Sequence, residues 1–84
     1  MIEQIDEPVD LLAFFSQKGK MIPRKFWRQG RVYDITKINQ VHQSREGEAV
    51  LHFFHCSDLF SSYRKLSFNN ITKIWTLEEV EVNP

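Results

Sequence analysis

From residue 22 onward, large apolar side chains recur at every second position, which is the period of a β-strand rather than of a helix. The stretches "AVLHFFHCS" and "YRKLSF" are short, rich in aromatic and β-branched residues, and bounded by polar turn residues. Such runs are typical of strands that place one face on a core. The pattern therefore predicts an all-β domain.

Turn residues divide this part of the chain into five predicted strands. Gly30 follows Gln29 at a tight turn that requires a positive φ, and "SREG" is expected to form a four-residue loop closing on Gly47. The stretches "SDLFSS" and "NN" separate the remaining strands. The predicted strands, joined as a meander of hairpins, are Ile22–Arg28, Arg31–Gln43, Glu48–Ser57, Ser62–Asn69 and Thr72–Val82.

The inward face of the second of these strands changes within the strand. In a regular strand, the side chains of Tyr33 and Ile35 point to one face and that of Ile38 points to the other. A bulge near Thr36 and Lys37 would bring all three to the inward face. Bulged, bent strands let a small sheet curl over itself, which favours a barrel or a tight sandwich over a flat sheet. We therefore predict a small antiparallel meander that closes into a barrel-like or tight sandwich domain.

The residues alone leave the N-terminal stretch "DEPVDLLAFFSQKG" open between two structures. A helix is favoured by Asp6 as a possible cap and by Gly19 as a possible terminator. A strand is favoured by the alternation of apolar side chains at Val9, Leu11 and Ala13.

Length and composition indicate one folded domain over residues 1–84. The 84 residues include 42% hydrophobic and 13% aromatic side chains, which is the composition of a globular chain. The single Cys56 cannot form an internal disulfide, which agrees with a reducing compartment. The acidic start and the short apolar run "LLAFF" resemble neither a signal peptide nor a membrane span. We expect a cytoplasmic protein with no membrane segment.

The formal net charge of zero conceals a segregation of charge along the chain. Residues 1–10 contain acids and no base, whereas residues 18–31 contain bases and no acid. A basic block of this kind is found on nucleic-acid-binding surfaces. The alternative is that acidic and basic strands pair within one sheet, where opposed charges stabilise the fold by about 0.2–1 kcal/mol.

Several short motifs resemble a family of small bacterial domains of unknown function. They are "DEPV" at 6–9, Pro23 ahead of Phe26, "GRVYDI" at 30–35, Tyr63 with Leu66, and "WTLEEV" at 75–80. Arg28 stands where that family has Trp, with Trp27 one place earlier, and Tyr63 and Leu66 are three positions apart instead of two.

This resemblance spans nearly the whole chain and has consequences for fold and function. It implies a strand over residues 9–16, and hence six strands in all. Some members of the family occur with error-prone Y-family DNA polymerases, which implies a role in DNA transactions. The family offers no catalytic residues to transfer.

The stretch "RKFWRQGRVY" at 24–33 is the candidate binding element. Alternation places Phe26 on one face of its strand and Lys25 with Trp27 on the other, and the family pattern matches Phe26 as the buried ring. An exposed Trp among cations can stack on a nucleobase while the cations hold phosphates, and it can equally anchor a protein partner. A further alternative is that Trp27 folds under the N-terminal segment.

No residue pattern indicates catalysis or metal binding. His52 and His55 are three positions apart on a strand, so they point to opposite faces and cannot share a metal. A zinc site would need a helix here or a distant fourth ligand such as His42. Ser57 and Asp58 follow His55 without the glycine-flanked turn of a nucleophile, and the glycines are isolated in turns. We expect no enzyme activity, no metal and no cofactor.

These observations predict a small, non-enzymatic, barrel-like binding module. Its first candidate partner is single-stranded nucleic acid, and the alternative is a protein. The predicted binding residues are Lys25, Trp27, Arg28, Arg31, Arg64 and Lys65. The predicted core residues are Phe26, Tyr33, Ile35, either Phe54 or Phe53, Leu66, Phe68, Trp75 and Leu77.

Overall fold

The computed structural model describes residues 1–82, which form seven β-strands and no helix. In this part of the chain, no helix has the length and apolar character needed to cross a membrane. The strands are β1 (Ile2–Phe15), β2 (Met21–Arg28), β3 (Arg31–Asp34), β4 (Lys37–Glu46), β5 (Ala49–Ser57), β6 (Tyr63–Asn69) and β7 (Trp75–Glu81). The predicted all-β fold is confirmed.

All neighbouring strands are antiparallel, and their order across the sheet is β3-β2-β1-β7-β6-β5-β4. Consecutive strands are therefore neighbours, as in a meander, except that β3 and β4 lie at the two edges. Two adjacent residues join these edges: the amide of Ile35 donates to the carbonyl of Arg24 on β2, and the amide of Thr36 donates to the carbonyl of Ser57 on β5. The sheet is barrel-like but not closed by hydrogen bonds.

Strand β1 connects two parts of the sheet, because its two halves pair with different neighbours. Residues 2–9 pair with β7, and residues 10–15 pair with β2. A register shift between Gln4 and Glu7 places Asp6 in the left-handed region, with φ 52°. Asp is one of the few residues that enter this region at low cost, so it suits the bend.

The overall dimensions show that the sheet curls around an interior. The molecule measures 38 × 28 × 24 Å. A flat single sheet with its side chains is only about 10 Å thick. The strands therefore wrap around a common core. This agrees with the curled sheet that the expected bulge predicted.

The structure has seven strands where six were predicted. The expected strand over 31–43 is divided into β3 and β4, because Ile35 bonds to β2 and Thr36 bonds to β5, so the two residues cannot continue one ladder. The inward face changes at this break, close to the predicted bulge. A separate register shift follows between Ile38 and Gln40.

Strand β7 starts at Trp75 rather than at the predicted Thr72, and two other strands are longer than predicted. The N-terminal segment is a strand, as the resemblance implied, but it starts at Ile2 rather than at residue 9. The loop expected at "SREG" is tighter, because β4 continues to Glu46, which pairs with Ala49 across a turn containing Gly47 at φ 59°. Added ladder pairs account for both differences, since they extend strands through residues with weak strand preference.

The core lies between the β1–β2–β3 portion of the sheet and the β5–β6–β7 portion. Its buried apolar residues are Phe26, Ile35, Phe54, Cys56, Leu66, Trp75 and Leu77. All of them except Cys56 were predicted, and Phe54 is the buried member of its pair with Phe53. Tyr33 and Phe68 are only partly buried and pack against this cluster.

Candidate binding surface

Strands β2 and β3 form the hairpin that carries the basic and aromatic stretch. Arg28 pairs with Arg31 across a two-residue turn, in which Gln29 has φ 52° and Gly30 has φ 76°. Two left-handed residues in succession are the φ pattern of a type I′ turn, whose twist matches that of the flanking strands. The positive φ predicted for Gly30 is confirmed.

The two adjacent rings of the hairpin point to opposite faces. Phe26 is fully buried and stacks on Tyr33, its direct partner on β3, with ring centroids 5.1 Å apart. Because successive side chains of a strand alternate, Trp27 lies on the outer face, where it is 42% exposed. The predicted orientation of both rings is confirmed.

Three further large apolar side chains share the outer face with Trp27. Val32 lies opposite Trp27 on β3, Leu12 lies opposite Lys25 on β1, and Phe14 is two residues beyond Leu12. Each of the four apolar side chains is between 42% and 53% exposed. We call Leu12, Phe14, Trp27 and Val32 the hairpin face.

Charges of both signs surround the hairpin face. The ammonium of Lys25 lies 3.7 Å from a carboxylate oxygen of Asp34, and Asp10 pairs directly with Trp27 on the neighbouring strand. The guanidinium of Arg24 lies over the ring of Phe14, 5.7 Å from its centroid. The immediate surroundings of Trp27 are therefore not uniformly cationic.

Three other predicted binding cations, Arg28, Arg31 and Arg64, lie away from this face. Arg28 Nε donates to Glu7 Oε2 at 3.0 Å. The guanidinium groups of Arg31 and Arg64 lie 6.0 and 5.7 Å from the ring centroid of Tyr33, which packs on the inner side. Arg31 and Arg64 are thus brought together, but on the opposite side of the hairpin from Trp27.

Arg64 and Lys65, the two predicted binding residues on β6, also contact neighbouring side chains. Arg64 Nη2 lies 3.3 Å from Asp58 Oδ2, and Lys65 Nζ lies 4.9 Å from the ring centroid of Phe53. Among the predicted binding residues, only Lys25 lies on the same side of the hairpin as Trp27. Alternation places the paired Arg28 and Arg31 on the opposite face from Trp27. Arg64 and Lys65 lie on β6, which the hairpin does not pair with.

A groove runs beside Trp27, where β1 leaves β7 and joins β2. It is lined by residues 7–11 of β1, residues 27–29 of the hairpin, and residues 73–75 at the start of β7. Its charged residues are Glu7, Asp10, Arg28 and Lys73, two acids and two bases. The groove therefore offers contacts for a partner of mixed charge.

A row of polar side chains crosses the outer face of β4, β5, β6 and β7. The Nε2 atoms of His42 and His55 are 2.9 Å apart, and His55 Nδ1 lies 2.8 Å from the hydroxyl of Tyr63. That hydroxyl donates to Glu79 Oε1 at 3.3 Å. The sequence did not predict this row, because the row depends on the register of four strands. The only signal in the sequence was that His55 points to the opposite face from His52.

Two pKa shifts favour the hydrogen bonds of this row. Burial lowers the pKa of His55, the positive potentials of His42 and Lys65 lower it further, and Glu79 opposes them. Burial also raises the pKa of Tyr63 to about 12, and Glu79 adds to that shift. Near neutral pH, His55 is therefore uncharged and Tyr63 keeps its proton.

The side chains of His52 and His55 lie on opposite faces of the sheet, as strand alternation predicted. His52 packs against Phe68 on the inner side, whereas His55 contacts His42 on the outer side. No group of three or more metal-ligating side chains occurs within residues 1–82. Cys56 is fully buried, and burial raises the pKa of its thiol to about 12.

Comparison with known proteins yielded no match: no protein-family model, no curated protein and no solved structure is similar to this chain. The resemblance to small bacterial domains stays a prediction.

Proposed function

We propose that this protein is a small, non-enzymatic binding module of the cytoplasm, and that its hairpin face docks a protein partner. The observation that supports this function is the exposure of four large apolar side chains, including Trp27, on the hairpin face. Contiguous exposed apolar patches mark interaction sites. Trp is also enriched among the residues that dominate binding energy in protein interfaces.

The distribution of charge favours a protein over a nucleic acid. Binding to a phosphate backbone depends on cations that are free to neutralise it. Three of the predicted cations instead form ion pairs: Lys25 with Asp34, Arg28 with Glu7, and Arg64 with Asp58. A carboxylate beside Trp27, that of Asp10, also disfavours a phosphate there.

Single-stranded nucleic acid is the second candidate ligand. Trp27 is exposed for stacking, and Arg24 and Arg31 form no ion pair within residues 1–82. The resemblance to domains that occur with error-prone DNA polymerases supports the same candidate.

Site-specific photo-crosslinking in cells that express the protein tests the proposed function. A photoreactive residue at Val32, within the hairpin face, should capture one protein reproducibly, whereas the same residue at the exposed Glu3 on β1 should not. The captured protein, once purified, should bind the wild type. Trp27→Ala should weaken that binding by at least about 2 kcal/mol, as expected for a central hot spot.

A titration with a labelled single-stranded oligonucleotide separates the two candidates. Nucleic-acid binding would show a log–log salt slope of about −0.7 per contacted phosphate. Trp27→Ala would then remove about 1–3 kcal/mol of stacking and leave the slope unchanged. That result, together with no specific crosslink from Val32, would contradict the protein-partner proposal and establish the second candidate.

A further inference from the structure

Strand β4 is a long edge of the sheet. It runs for ten residues, and within residues 1–82 it pairs with β5 alone. The opposite edge, β3, has only four residues. Every second residue of an edge strand turns its amide and carbonyl away from the sheet, which provides a template for another strand.

The composition of β4 suits a reversible contact rather than a permanent one. Nearly all of its side chains are exposed, and most are polar. A register shift follows Ile38, near the start of the strand. Bulges and polar side chains are the usual protection of an edge against uncontrolled pairing.

An apolar cleft lies along the inner side of this edge, where the sheet does not close. Five of its lining residues are apolar: Met21, Ile22, Ile38, Val41 and Phe54. Val41 lies directly opposite Phe54 in the ladder and is 54% exposed, although it faces inward. Within residues 1–82, the start of β2 and β4 border the cleft without pairing with each other, which leaves this part of the interior accessible.

The charges at the cleft restrict what can occupy it. No carboxylate lines the cleft, and Lys20 is its only permanently charged residue, beside the polar side chains of Gln43 and His52. A second copy of β4 would bring two bases, Lys37 and Arg45, against one acid, Glu46. Charge therefore favours an acidic occupant over a second copy of this chain.

We propose that β4 and its adjoining cleft bind an extended, acidic segment of another polypeptide by strand addition. The backbone of the segment continues the sheet at the free edge of β4. Its alternate side chains point into the cleft, where an apolar residue packs against Val41 and Phe54. A carboxylate of the segment pairs with Lys20. Main-chain hydrogen bonds supply affinity in this mode, and pockets for alternate side chains supply specificity.

This site is separate from the hairpin face and does not depend on it. Val41 and Val32 provide matched variants, because they are 54% and 50% exposed on different strands. Val41→Glu places a carboxylate in the cleft, and Val32→Glu places one on the hairpin face. Circular dichroism and thermal unfolding would verify that both variants are folded.

The probe is a displayed library of random peptides of about six residues, the usual length of a strand. Selection on the wild type should enrich peptides with apolar residues at alternate positions and at least one acidic residue. Binding of an enriched peptide should weaken at least about tenfold in Val41→Glu and stay unchanged in Val32→Glu. Its binding should also slow amide hydrogen exchange over residues 39–46.

Charge reversal at Lys20 gives an independent test. In Lys20→Glu, the same selection should favour basic peptides. The proposal would be overturned by equal enrichment on wild type and Val41→Glu, or by bound peptides that leave the amides of β4 unprotected. Protection of β4 that rises with protein concentration in the absence of peptide would overturn it in favour of self-association.

Discussion

Phe26 and Tyr33 lie directly opposite each other in the β2–β3 ladder, and their rings stack with an interplanar angle of 16°. This pair orients the whole hairpin. Because Phe26 is buried beneath Tyr33, the adjacent Trp27 lies on the outer face. The stacked pair therefore connects the core to the proposed binding surface.

Trp75→Ala should destabilise the fold by about 3–5 kcal/mol, the usual effect of removing a buried aromatic ring. Trp75 is almost fully buried and packs against Phe54 and Phe68. Urea unfolding measures the change. The exposed Val32→Ala should shift the free energy of unfolding by no more than about 0.5 kcal/mol. A melt of Trp75→Ala that coincides with the wild type would contradict the core assignment.

The thiol of Cys56 should be unreactive in the folded protein. It is fully buried, and burial raises its pKa to about 12, so almost no thiolate exists near neutral pH. A colorimetric disulfide reagent should therefore modify Cys56 only as fast as the protein unfolds. Rapid modification under native conditions, at the rate seen in denaturant, would show that the thiol is accessible.

His55 should titrate below its ordinary pKa of 6.5, because burial, His42 and Lys65 all disfavour its protonated form. The unfolded chain then binds more protons than the folded chain just below pH 6.5, so the free energy of unfolding should fall as the pH drops through this range. Titration of the imidazole by nuclear magnetic resonance measures the shift. Lys65→Met should raise the pKa of His55, whereas Lys18→Met in the β1–β2 loop should not.

Tyr63 should ionise near pH 12, chiefly because of burial and secondly because of the Glu79 carboxylate. The unfolded chain loses this proton near pH 10, so stability should decrease as the pH rises from about 10 towards 12. Phenolate absorbance, with Tyr63→Phe subtracted, isolates the group. Glu79→Gln should lower the pKa of Tyr63, and Glu48→Gln is the control. An unchanged pKa of Tyr63 in Glu79→Gln would show that the Glu79 carboxylate does not interact with the Tyr63 hydroxyl.

Much of the fold was determined by local sequence patterns. The alternation of apolar side chains predicted the strands after residue 22, and six of the seven buried apolar core residues were predicted. Gly30 specified the hairpin turn, because glycine adopts a positive φ at no steric cost, whereas the positive φ of Gln29 was seen only in the structure. Parity also placed His52 and His55 on opposite faces, since alternation is a property of any extended chain.

The sequence alone left the binding residues scattered, and tertiary structure decided which of them meet. The guanidinium groups of Arg64 and Arg31 both lie near the ring of Tyr33. His42 is linked to Glu79 by hydrogen bonds through His55 and Tyr63. The register and the curl of the sheet set these distances. The break at Ile35 was also a tertiary outcome. Its amide bonds to β2 and that of Thr36 bonds to β5, a long-range constraint that no local pattern encodes.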